Sequence, residues 1–335
     1  MIEIDGSLGE GGGQIIRTAV ALAAVTGEAV EIRNIRANRP KPGLGVQHLH
    51  AVKAVANLSG GEIAGLELRS SRLKFLPAKL EGFNGEIDIG TAGSITLLLQ
   101  CLIPVALFAN NDTNVKVIGG TDVRWSPPVD FYTHVFLNAI REMGCEVYSK
   151  VRRRGYYPKG GGIVETRIAP LYHLGGFAFT GNQGTVKGIS HSYGLPTHVA
   201  QRQAKAAERI LHETGYNSEI KIESGYYGKG IMGSGITLWQ GYKSGSAVGI
   251  RGRRAELVGE EAAKEIVKEL ESESSIDVHL ADHLIPYIAL ANDKSELKVR
   301  ELTKHIETNM YVTKQFLGAE FDVEHEREVV VIRKG

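Results

Sequence analysis

The sequence predicts an α+β fold in which three similar α/β units are interrupted by one inserted segment. Helix and strand patterns recur in the same order three times along the chain. Residues 179–275, between the second and third copies, do not fit that order. With 335 residues, the chain is long enough to form two domains with a sizeable core. We therefore expect a large domain of residues 1–178 and 276–335, and a smaller inserted α/β domain of residues 179–275.

Each copy is predicted to contain a helix, a strand, a second helix and a strand pair. In the first copy the helices are predicted at 15–25 and 44–58, and the strands at 29–36 and within 62–76. The second has helices at 94–109 and 129–143, with strands at 114–119, 146–150 and 163–168. The third has helices at 277–290 and 304–317, with strands at 297–302 and in the tail 320–332. The insertion has strand patterns at 185–190, 218–222 and 235–240, and amphipathic helices at 198–214 and 256–271.

Composition and charge exclude several classes of protein. Cys101 and Cys145 lie far apart in apolar surroundings, which suits a reducing cytosol and excludes a thiolate metal cluster. We expect no signal peptide and no membrane span, because the most apolar stretch, 95–109, is interrupted by Gln100 and Pro104. The sequence thus predicts a soluble, cytoplasmic protein. A net charge of +1 excludes a global nucleic-acid-binding field but leaves room for a local basic site.

Glycine is enriched, with 41 residues, and it is clustered in loops. The run from Asp5 to Arg17 leads from a short strand through such a loop into a helix. Amides of the loop and of the helix start could bind an anion, Arg17 could bind a phosphate, and Glu10 could hold a divalent ion. The spacing matches neither the Rossmann nor the P-loop motif, so a glycine-rich tight turn without a ligand is the alternative.

A rigid basic loop follows the first predicted strand. Arg36, Arg39 and Lys41 are interspersed with two prolines, and Gln47 follows. The three cations can converge on one side of the loop, although a solvated charged loop is the alternative. The three consecutive arginines at 152–154 instead predict a solvated strand end.

Histidines mark two further positions. His279 and His283 have an i, i+4 spacing that can bind zinc, but no third ligand lies nearby in sequence, so we favour a helix start that lines a site. His305 follows Thr303 at the start of the last predicted helix, where the helix dipole disfavours an imidazolium and keeps the ring a neutral nucleophile. A surface histidine without a role is the alternative there.

Three segments together resemble the RNA 3′-terminal phosphate cyclases. They are Gly-Glu-Gly-Gly-Gly-Gln-Ile-Ile-Arg at 9–17, Ile-Arg-Ala-Asn-Arg-Pro-Lys-Pro-Gly-Leu at 35–44, and Arg-Gly-Tyr-Tyr-Pro-Lys-Gly-Gly-Gly-Ile-Val at 154–164. The last segment is similar to the family's signature pattern, and the resemblance extends over essentially the whole chain. It implies three βαβαββ-like units similar to the C-terminal domain of translation initiation factor 3, together with a smaller inserted domain.

The resemblance also implies a ligase-type enzyme that binds ATP and processes RNA. Such an enzyme converts an RNA 3′-terminal phosphate to a 2′,3′-cyclic phosphodiester and releases AMP and pyrophosphate. In this reaction a histidine attacks the α-phosphorus of ATP and forms a covalent histidine–AMP intermediate. The AMP then passes to the RNA phosphate, giving RNA-(3′)pp(5′)A, and the 2′-hydroxyl closes the ring and expels AMP.

Residue roles follow from the same resemblance. The nucleophile position falls on His305, and Glu10 matches a carboxylate near a divalent metal, Mg²⁺ or Mn²⁺. The polar cluster around the phosphates matches Arg17, Arg36, Arg39 and Gln47. The nucleotide-binding positions match Gln100, Pro127, Pro128, His279, Leu280, Ala281, Asp282 and His283.

Two other functions stay open at this point. A non-catalytic, cyclase-like RNA-binding factor of ribosome assembly would lack the histidine and part of the arginine cluster. Enolpyruvyl transferases have a related repeat fold but usually about twice as many repeats. We interpret Gly160 to Gly162 as a structural close approach between strands. The sequence leaves open the RNA substrates, the preferred metal and whether the chain forms a homo-oligomer.

Overall fold

A computed structural model describes residues 1–9, 12–179, 184–228 and 230–335. It confirms a mixed chain in which helices pack on several small mixed sheets, as expected for an α+β protein. Within the part of the chain described, no helix combines the length and the apolar character needed to cross a bilayer.

The first sheet is built by residues 2–76. Its unit contains β1 (Ile2–Asp5), α1 (Gly13–Thr26), β2 (Val30–Arg33), α2 (Val46–Ser59), β3 (Glu62–Ala64) and β4 (Leu73–Leu76). The strand order is β1-β2-β4-β3, with β1 and β2 parallel and the other pairs antiparallel. Helix α1 ends at Gly27, whose φ of +74° lies in the left-handed region that glycine adopts without a steric penalty.

The second sheet has the same connectivity. Its unit contains β5 (Asn84–Asp88), α3 (Ile95–Leu107), β6 (Thr113–Gly119), α4 (Val129–Phe131), a π-helical turn (Tyr132–Phe136), α5 (Leu137–Glu142), β7 (Val147–Arg153) and β8 (Gly162–Ile168). The strand order is β5-β6-β8-β7, and only the β5–β6 pair is parallel. Ser94 caps α3, since its Oγ accepts the N–H of Leu97 at 3.2 Å.

The inserted segment forms a sheet of its own. It contains β9 (Val186–Tyr193), α6 (His198–Glu213), β10 (Ser218–Gly225), β11 (Gly233–Gln240), β12 (Lys243–Val248) and α7 (Ala255–Leu270). The strand order is β10-β9-β11-β12, and α6 and α7 pack on each other. A separate apolar cluster lies beneath these helices and includes Val186, Leu211, Ile236, Leu238 and Ile266.

The third unit completes the pattern with a three-stranded sheet. It contains α8 (Val278–Leu290), β13 (Ser295–Val299), α9 (Lys304–Leu317), β14 (Phe321–His325) and β15 (Val330–Lys334). The order β13-β15-β14 matches the last three strands of the other two units. Ala178, just before the insertion, forms a parallel bridge with Glu296 of β13, which is the edge that β1 and β5 occupy in the first two sheets.

Helix α1 lies at the centre of the helical layer. It packs against α2, α3 and α9, while α8 packs against α9. Its side chains from Ile15 to Ala24 are buried. Because one buried helix contacts members of all three units, the start of α1 lies beside loops from each of them.

Every helix predicted from the sequence is present, but strands β5 and β12 were not predicted. In β5 only Ile87 is buried, so the alternation of apolar residues is too short to detect. In β12, Lys-Ser-Gly-Ser-Ala-Val, the buried positions hold Lys243 and small residues, which have low strand propensity.

The interpretation of residues 152–154 as a solvated strand end is wrong for Arg154. Its side chain is only 4% exposed, and its guanidinium lies 2.9 Å from Asp130, 3.1 Å from Glu223 and 3.4 Å from Asp122. Arg152 does face solvent, where it pairs with Glu165. A register shift in β7 between residues 151 and 153 allows the next arginine to turn inward.

The interpretation of the signature glycines as a close approach agrees with the geometry. A Cβ at Gly162 would lie 2.7 Å from the amide nitrogen of Gly155. A Cβ at Gly160, where φ is +70°, would lie 2.5 Å from the carbonyl oxygen of Thr91. Side chains at these positions would push apart the loops that precede α3 and β8.

We predict that Arg154→Ala lowers the free energy of unfolding by about 3–5 kcal/mol, because it leaves the buried carboxylates of Asp122 and Asp130 without their cation. The matched control is Arg152→Ala, which removes an exposed ion pair and should cost about 1 kcal/mol or less. Urea denaturation of the two variants measures the difference. Equal denaturation midpoints would show that the buried network does not stabilise the fold.

Candidate active site

The carboxylate of Asp282, on α8, organises one side of the candidate site. Asn309 of α9 donates its amide to Asp282 Oδ1 at 2.7 Å, and Gln14 of α1 donates to the same oxygen. Asp282 Oδ2 lies 3.4 Å from Nδ1 of His305, and Gln14 also donates to the carbonyl of His305 at 3.0 Å. Residues from the first and third units are therefore joined around one carboxylate.

His305 lies in the first turn of α9, as the sequence predicted. Thr303 caps this helix by accepting the N–H of Ile306 at 3.2 Å. The His305 side chain is 44% exposed, so the ring is held by the site yet accessible to a ligand. The contact to Asp282 favours the tautomer that carries a proton on Nδ1 and a lone pair on Nε2.

The predicted phosphate-binding residues come together from the first and second units. Arg17 is buried and donates its Nε–H to Oε1 of Gln100 at 3.2 Å. Burial lowers the pKa of Arg17. Gln47 accepts the N–H of Ser94, at the cap of α3, at 3.3 Å.

The basic loop folds against the start of α1. Arg36 donates to the carbonyl oxygen of Gly43 at 2.9 Å. Partial burial, together with the charges of Arg39 and Arg69, lowers the pKa of Arg36. The guanidinium of Arg39 lies beside Gly12, where a Cβ would be 3.3 Å from Nη2. Arg39 thus lies against the glycine loop and Arg36 is bonded within the basic loop, whereas Lys41 is exposed.

The structure adds a histidine that the sequence analysis did not assign. The imidazole of His48 lies directly against Gly13, the first residue of α1, and its Nδ1 accepts the N–H of Gly45 at 3.0 Å. Burial lowers its pKa to about 3, and the charges of Arg17 and Arg36 act in the same direction. His48 is therefore neutral. In the sequence, His48 follows Gly45 by three residues at the start of a predicted helix, and this spacing is what could have indicated the contact.

Helix starts surround this cluster. Helices α1, α2 and α3 have no acidic residue in the first turn, whereas α8 is capped by the carboxylate of Asp277. Helix N-termini carry partial positive charge and N–H groups without intrahelical partners, so they favour anions. Combined with the arginines, they form a site suited to several phosphate groups.

The predicted nucleotide-binding positions divide into two groups. Pro127 accepts the hydroxyl of Thr96 at 2.7 Å, Pro128 precedes α4, and the ring of Phe131 in α4 contacts that of His283 at 5.7 Å. These residues connect the start of α3 to α8. His279 is exposed near the carboxylates of Glu265 and Glu301 rather than near the arginines.

Leu280 and Ala281 face the core, with exposures of 0%. Their backbone N–H groups are bonded to Asp277, at 2.6 Å from Leu280 and 3.1 Å from Ala281. Neither can offer a side chain or an N–H to a nucleotide. The assignment of these two positions therefore lacks support from the geometry, whereas Asp282, the next residue of α8, contacts Gln14, Asn309 and His305.

His283 is buried between aromatic rings, and burial lowers its pKa to about 4. Within the described residues its Nδ1 has no hydrogen-bond partner. The ring cannot form a zinc pair with the exposed His279 without leaving the core.

Metal binding has limited support in the described residues. Glu10, the predicted metal carboxylate, lies outside them. A group formed by Asp122, Asp130 and His191 could hold a cation, since its ligand atoms lie within 4.8 Å of one another. The guanidinium of Arg154 already contacts both carboxylates and supplies the compensating positive charge.

Comparisons with known proteins agree with this geometry. A family model described as RNA 3′-terminal phosphate cyclase matches residues 8–323. A protein of that name from Archaeoglobus fulgidus is 51% identical over 319 residues, covering 95% of this chain and 96% of the relative. A relative of the same name from Methanosarcina barkeri is 50% identical with 97% of each chain covered, and one from Pyrococcus furiosus is 46% identical with 100% and 99% covered.

We predict that stability falls as the pH decreases from about 6.5 to about 4. In this window the unfolded chain protonates His48 and His283, whereas the folded chain does not, because both folded-state pKa values are depressed. Each ring lowers the free energy of unfolding by about 1.4 kcal/mol per pH unit below its unfolded pKa.

His283→Phe keeps an aromatic ring in the core and should reduce this slope by that amount. Urea unfolding at several pH values measures it, with the exposed His325→Phe as control; equal slopes for the two variants would contradict a neutral His283.

Proposed function

The chain belongs to the RNA 3′-terminal phosphate cyclase family, and we propose that it uses ATP to convert an RNA 3′-terminal phosphate to a 2′,3′-cyclic phosphodiester. The observation that carries this proposal is the contact between His305 and Asp282 beside the arginine-lined glycine loop. A non-catalytic RNA-binding role would require neither an accessible, oriented histidine nor converging phosphate-binding groups.

In the first step, Nε2 of His305 attacks the α-phosphorus of ATP. A P–N bond forms while the P–O bond to the β-phosphate breaks, and pyrophosphate leaves. The ring gains positive charge because Nδ1 keeps its proton, and the carboxylate of Asp282 balances that charge. The amides of Gln14 and Asn309 hold Asp282 as an acceptor and so fix the orientation of the ring.

The cationic cluster stabilises the phosphates during this displacement. Arg17, Arg36 and Arg39 bring fixed positive charge to the start of α1, where negative charge moves onto the departing pyrophosphate. Gln47 and Gln100 are hydrogen-bonded to neighbouring groups of the site and hold its walls in place. A divalent ion, Mg²⁺ or Mn²⁺, held by Glu10 would add charge neutralisation to the same step.

Two further displacements complete the reaction. An oxygen of the RNA 3′-phosphate attacks the phosphorus of the bound AMP, and the P–N bond to His305 breaks. The 2′-hydroxyl then attacks the 3′-phosphorus, loses its proton, and expels AMP as the ring closes. ATP is needed because a phosphate monoester offers the 2′-hydroxyl no good leaving group.

A second part of the proposal concerns how the three units and the insertion divide the chain into domains. We propose that the three units correspond to repeats like the C-terminal domain of translation initiation factor 3, with residues 1–178 and 276–335 forming the catalytic domain. Shared strand order in the first two sheets supports this, as does the bridge from Ala178 to β13. Residues 179–275 then form a satellite domain, and all the assigned site residues lie outside it.

His305→Ala and His305→Asn are predicted to abolish both the AMP adduct and ATP-dependent cyclisation, because neither side chain can form the phosphoramidate. The assay follows label from α-labelled ATP into the protein, and His325→Ala is the matched control on the exposed surface. An RNA already capped with AMP on its 3′-phosphate bypasses the histidine, so the variants should still cyclise it. A His305→Ala protein that becomes labelled would show that the nucleophile lies elsewhere.

Arg39→Ala is predicted to slow formation of the AMP adduct by about 100-fold, because it removes a charge aimed at the phosphates. Its effect on stability should be within about 0.5 kcal/mol, since the residue lies in a surface loop. Arg327→Ala, in the exposed turn between β14 and β15, is the control for a lost surface arginine. Adduct rates and thermal midpoints are measured for both. An unfolded Arg39→Ala, or one with a normal adduct rate, would contradict the assignment.

A further inference from the structure

We propose that Trp125 and Tyr157 form a stacking surface for the single-stranded RNA that precedes the 3′-terminal phosphate. We call Arg124, Trp125, Tyr157 and Lys159 the aromatic surface. This inference rests on the proposed function, because it concerns how the RNA reaches the site that activates its 3′ end.

Trp125 is unusual in both exposure and backbone conformation. Its side chain is 91% exposed, although tryptophan is normally largely buried. Its φ of +61° lies in the left-handed region, which is sterically unfavourable for a bulky residue. Within the described residues, packing of the indole does not compensate for this cost. Strained residues of this kind are concentrated at ligand-binding sites.

Two closed loops carry the exposed rings. The N–H of Val129 bonds to the carbonyl of Thr121 at 3.0 Å, which closes the loop that has Trp125 at its tip. The N–H of Gly160 bonds to the carbonyl of Tyr156 at 2.7 Å, which closes the loop containing Tyr157, 79% exposed. A backbone hydrogen bond thus closes the base of each loop and restrains the backbone that carries Trp125 and Tyr157.

The two loops are side by side at their bases. The carbonyl of Gly155 accepts the N–H groups of Thr121 and Asp122 at 2.8 and 3.2 Å, and Asp122 forms a bridge with Tyr156. Chain lengths from that bridge place the Cα atoms of Trp125 and Tyr157 no more than about 20 Å apart. A single strand of a few nucleotides can span that distance.

The aromatic surface adjoins the candidate active site. Pro127, two residues after Trp125, is bonded to Thr96 in the first turn of α3. Ser94, the cap of α3, is bonded to Gln47 beside the basic loop. Gly160 packs against Thr91 in the segment just before that cap. A strand whose 3′-phosphate lies among the arginines can thus continue across the two loops.

The charge of the surface suits a nucleic acid. Arg124 lies over the indole of Trp125, 5.0 Å from the ring centroid, and Lys159 is exposed two residues after Tyr157. Residues 123–128 and 155–161 contain no carboxylate. Exposed rings that stack bases, flanked by cations for the phosphates, are how proteins hold single strands without sequence preference.

Two other occupants fit less well. The adenine of ATP would be enclosed on most of its surface in a nucleotide pocket, whereas an indole at an exposed loop tip covers one face only. A second copy of this chain meeting the same patch about a twofold axis would place Arg124 and Lys159 opposite their own equivalents. A single-stranded RNA has neither difficulty.

The first experiment uses fluorescence. The chain has two tryptophans, and Trp239 is stacked on His134 with 4.5 Å between centroids, so Trp239→Phe leaves Trp125 as the only reporter. A 3′-phosphorylated RNA of about ten nucleotides should quench this emission, in the site-size range of single-strand binders. Emission that RNA leaves unchanged would overturn the proposal. Emission that depends on protein concentration without RNA would also overturn it, by assigning the ring to self-association.

The second experiment is a double-mutant cycle on affinity. Trp125→Ala should weaken binding of the RNA about tenfold, and the same RNA with abasic residues upstream of its 3′ nucleotide should bind both proteins equally. The control is Tyr172→Ala, which removes another fully exposed ring. The preceding residue, Leu171, is bonded to Leu107 at the opposite end of α3, so this variant should leave the RNA affinity unchanged. Equal weakening of intact and abasic RNA would overturn the stacking role.

Formation of the AMP adduct separates this inference from the proposed function. Trp125→Ala should form the adduct at the wild-type rate, because that step needs no RNA. A slower adduct would assign the indole to the adenine and overturn the proposal. If wild-type protein forms no adduct and cyclises no RNA, the proposed function fails. The quenching and abasic measurements still decide whether the aromatic surface binds RNA.

Discussion

The carboxylate of Asp282, on α8, accepts hydrogen bonds from two side-chain amides and contacts one imidazole, which come from α1 and α9. Gln14 lies at the start of α1, whereas Asn309 and His305 lie on α9, almost the whole chain away in sequence. Thr18 of α1 adds a second link by donating to Oδ1 of Asn309 at 2.7 Å. Loss of the carboxylate would remove its contact with the ring of His305 and the bonds that it accepts from Gln14 and Asn309, while Thr18 would still join α1 to α9. The position of His305 beside α8 therefore depends on contacts between units as well as on contacts within the third unit.

The candidate site carries an excess of positive charge because helix starts from different units and arginines meet there. Burial depresses the pKa values of the nearby His48 and His283, and the charge of Arg17 acts in the same direction, so both rings are neutral. A cleft with this excess of positive charge is stabilised by an anion.

Sequence patterns predicted the helices and the candidate site residues for different physical reasons. Helices such as α3 and α9 have long periodic patterns and capping residues, so local information defines them. Glycine-rich and proline-rich motifs predicted a phosphate-binding loop, because such backbones are rare without a close approach. The partners of Arg154 could not be predicted, since Asp122 and Glu223 become neighbours only in the folded chain. His48 and Trp125 were not predicted for the same reason. The burial of His48 against Gly13 and the exposure of Trp125 are set by the folded chain and have no local sequence pattern.

The segment from Arg154 to Gly162 is best understood as a connector with two faces. One face holds the insertion: Arg154 pairs with Glu223 of β10, and the hydroxyl of Tyr156 is bonded to Nδ1 of His191 in β9 at 2.8 Å. The other face lies toward the candidate active site, because Gly160 allows a close approach to Thr91 and Ala92, just before α3. A substitution at Arg154 or Tyr156 can therefore displace Gly160, and with it the segment just before α3. A motif with both duties tolerates few substitutions, since bulk at its glycines displaces the loop under α3 and loss of its charge leaves buried carboxylates unpaired.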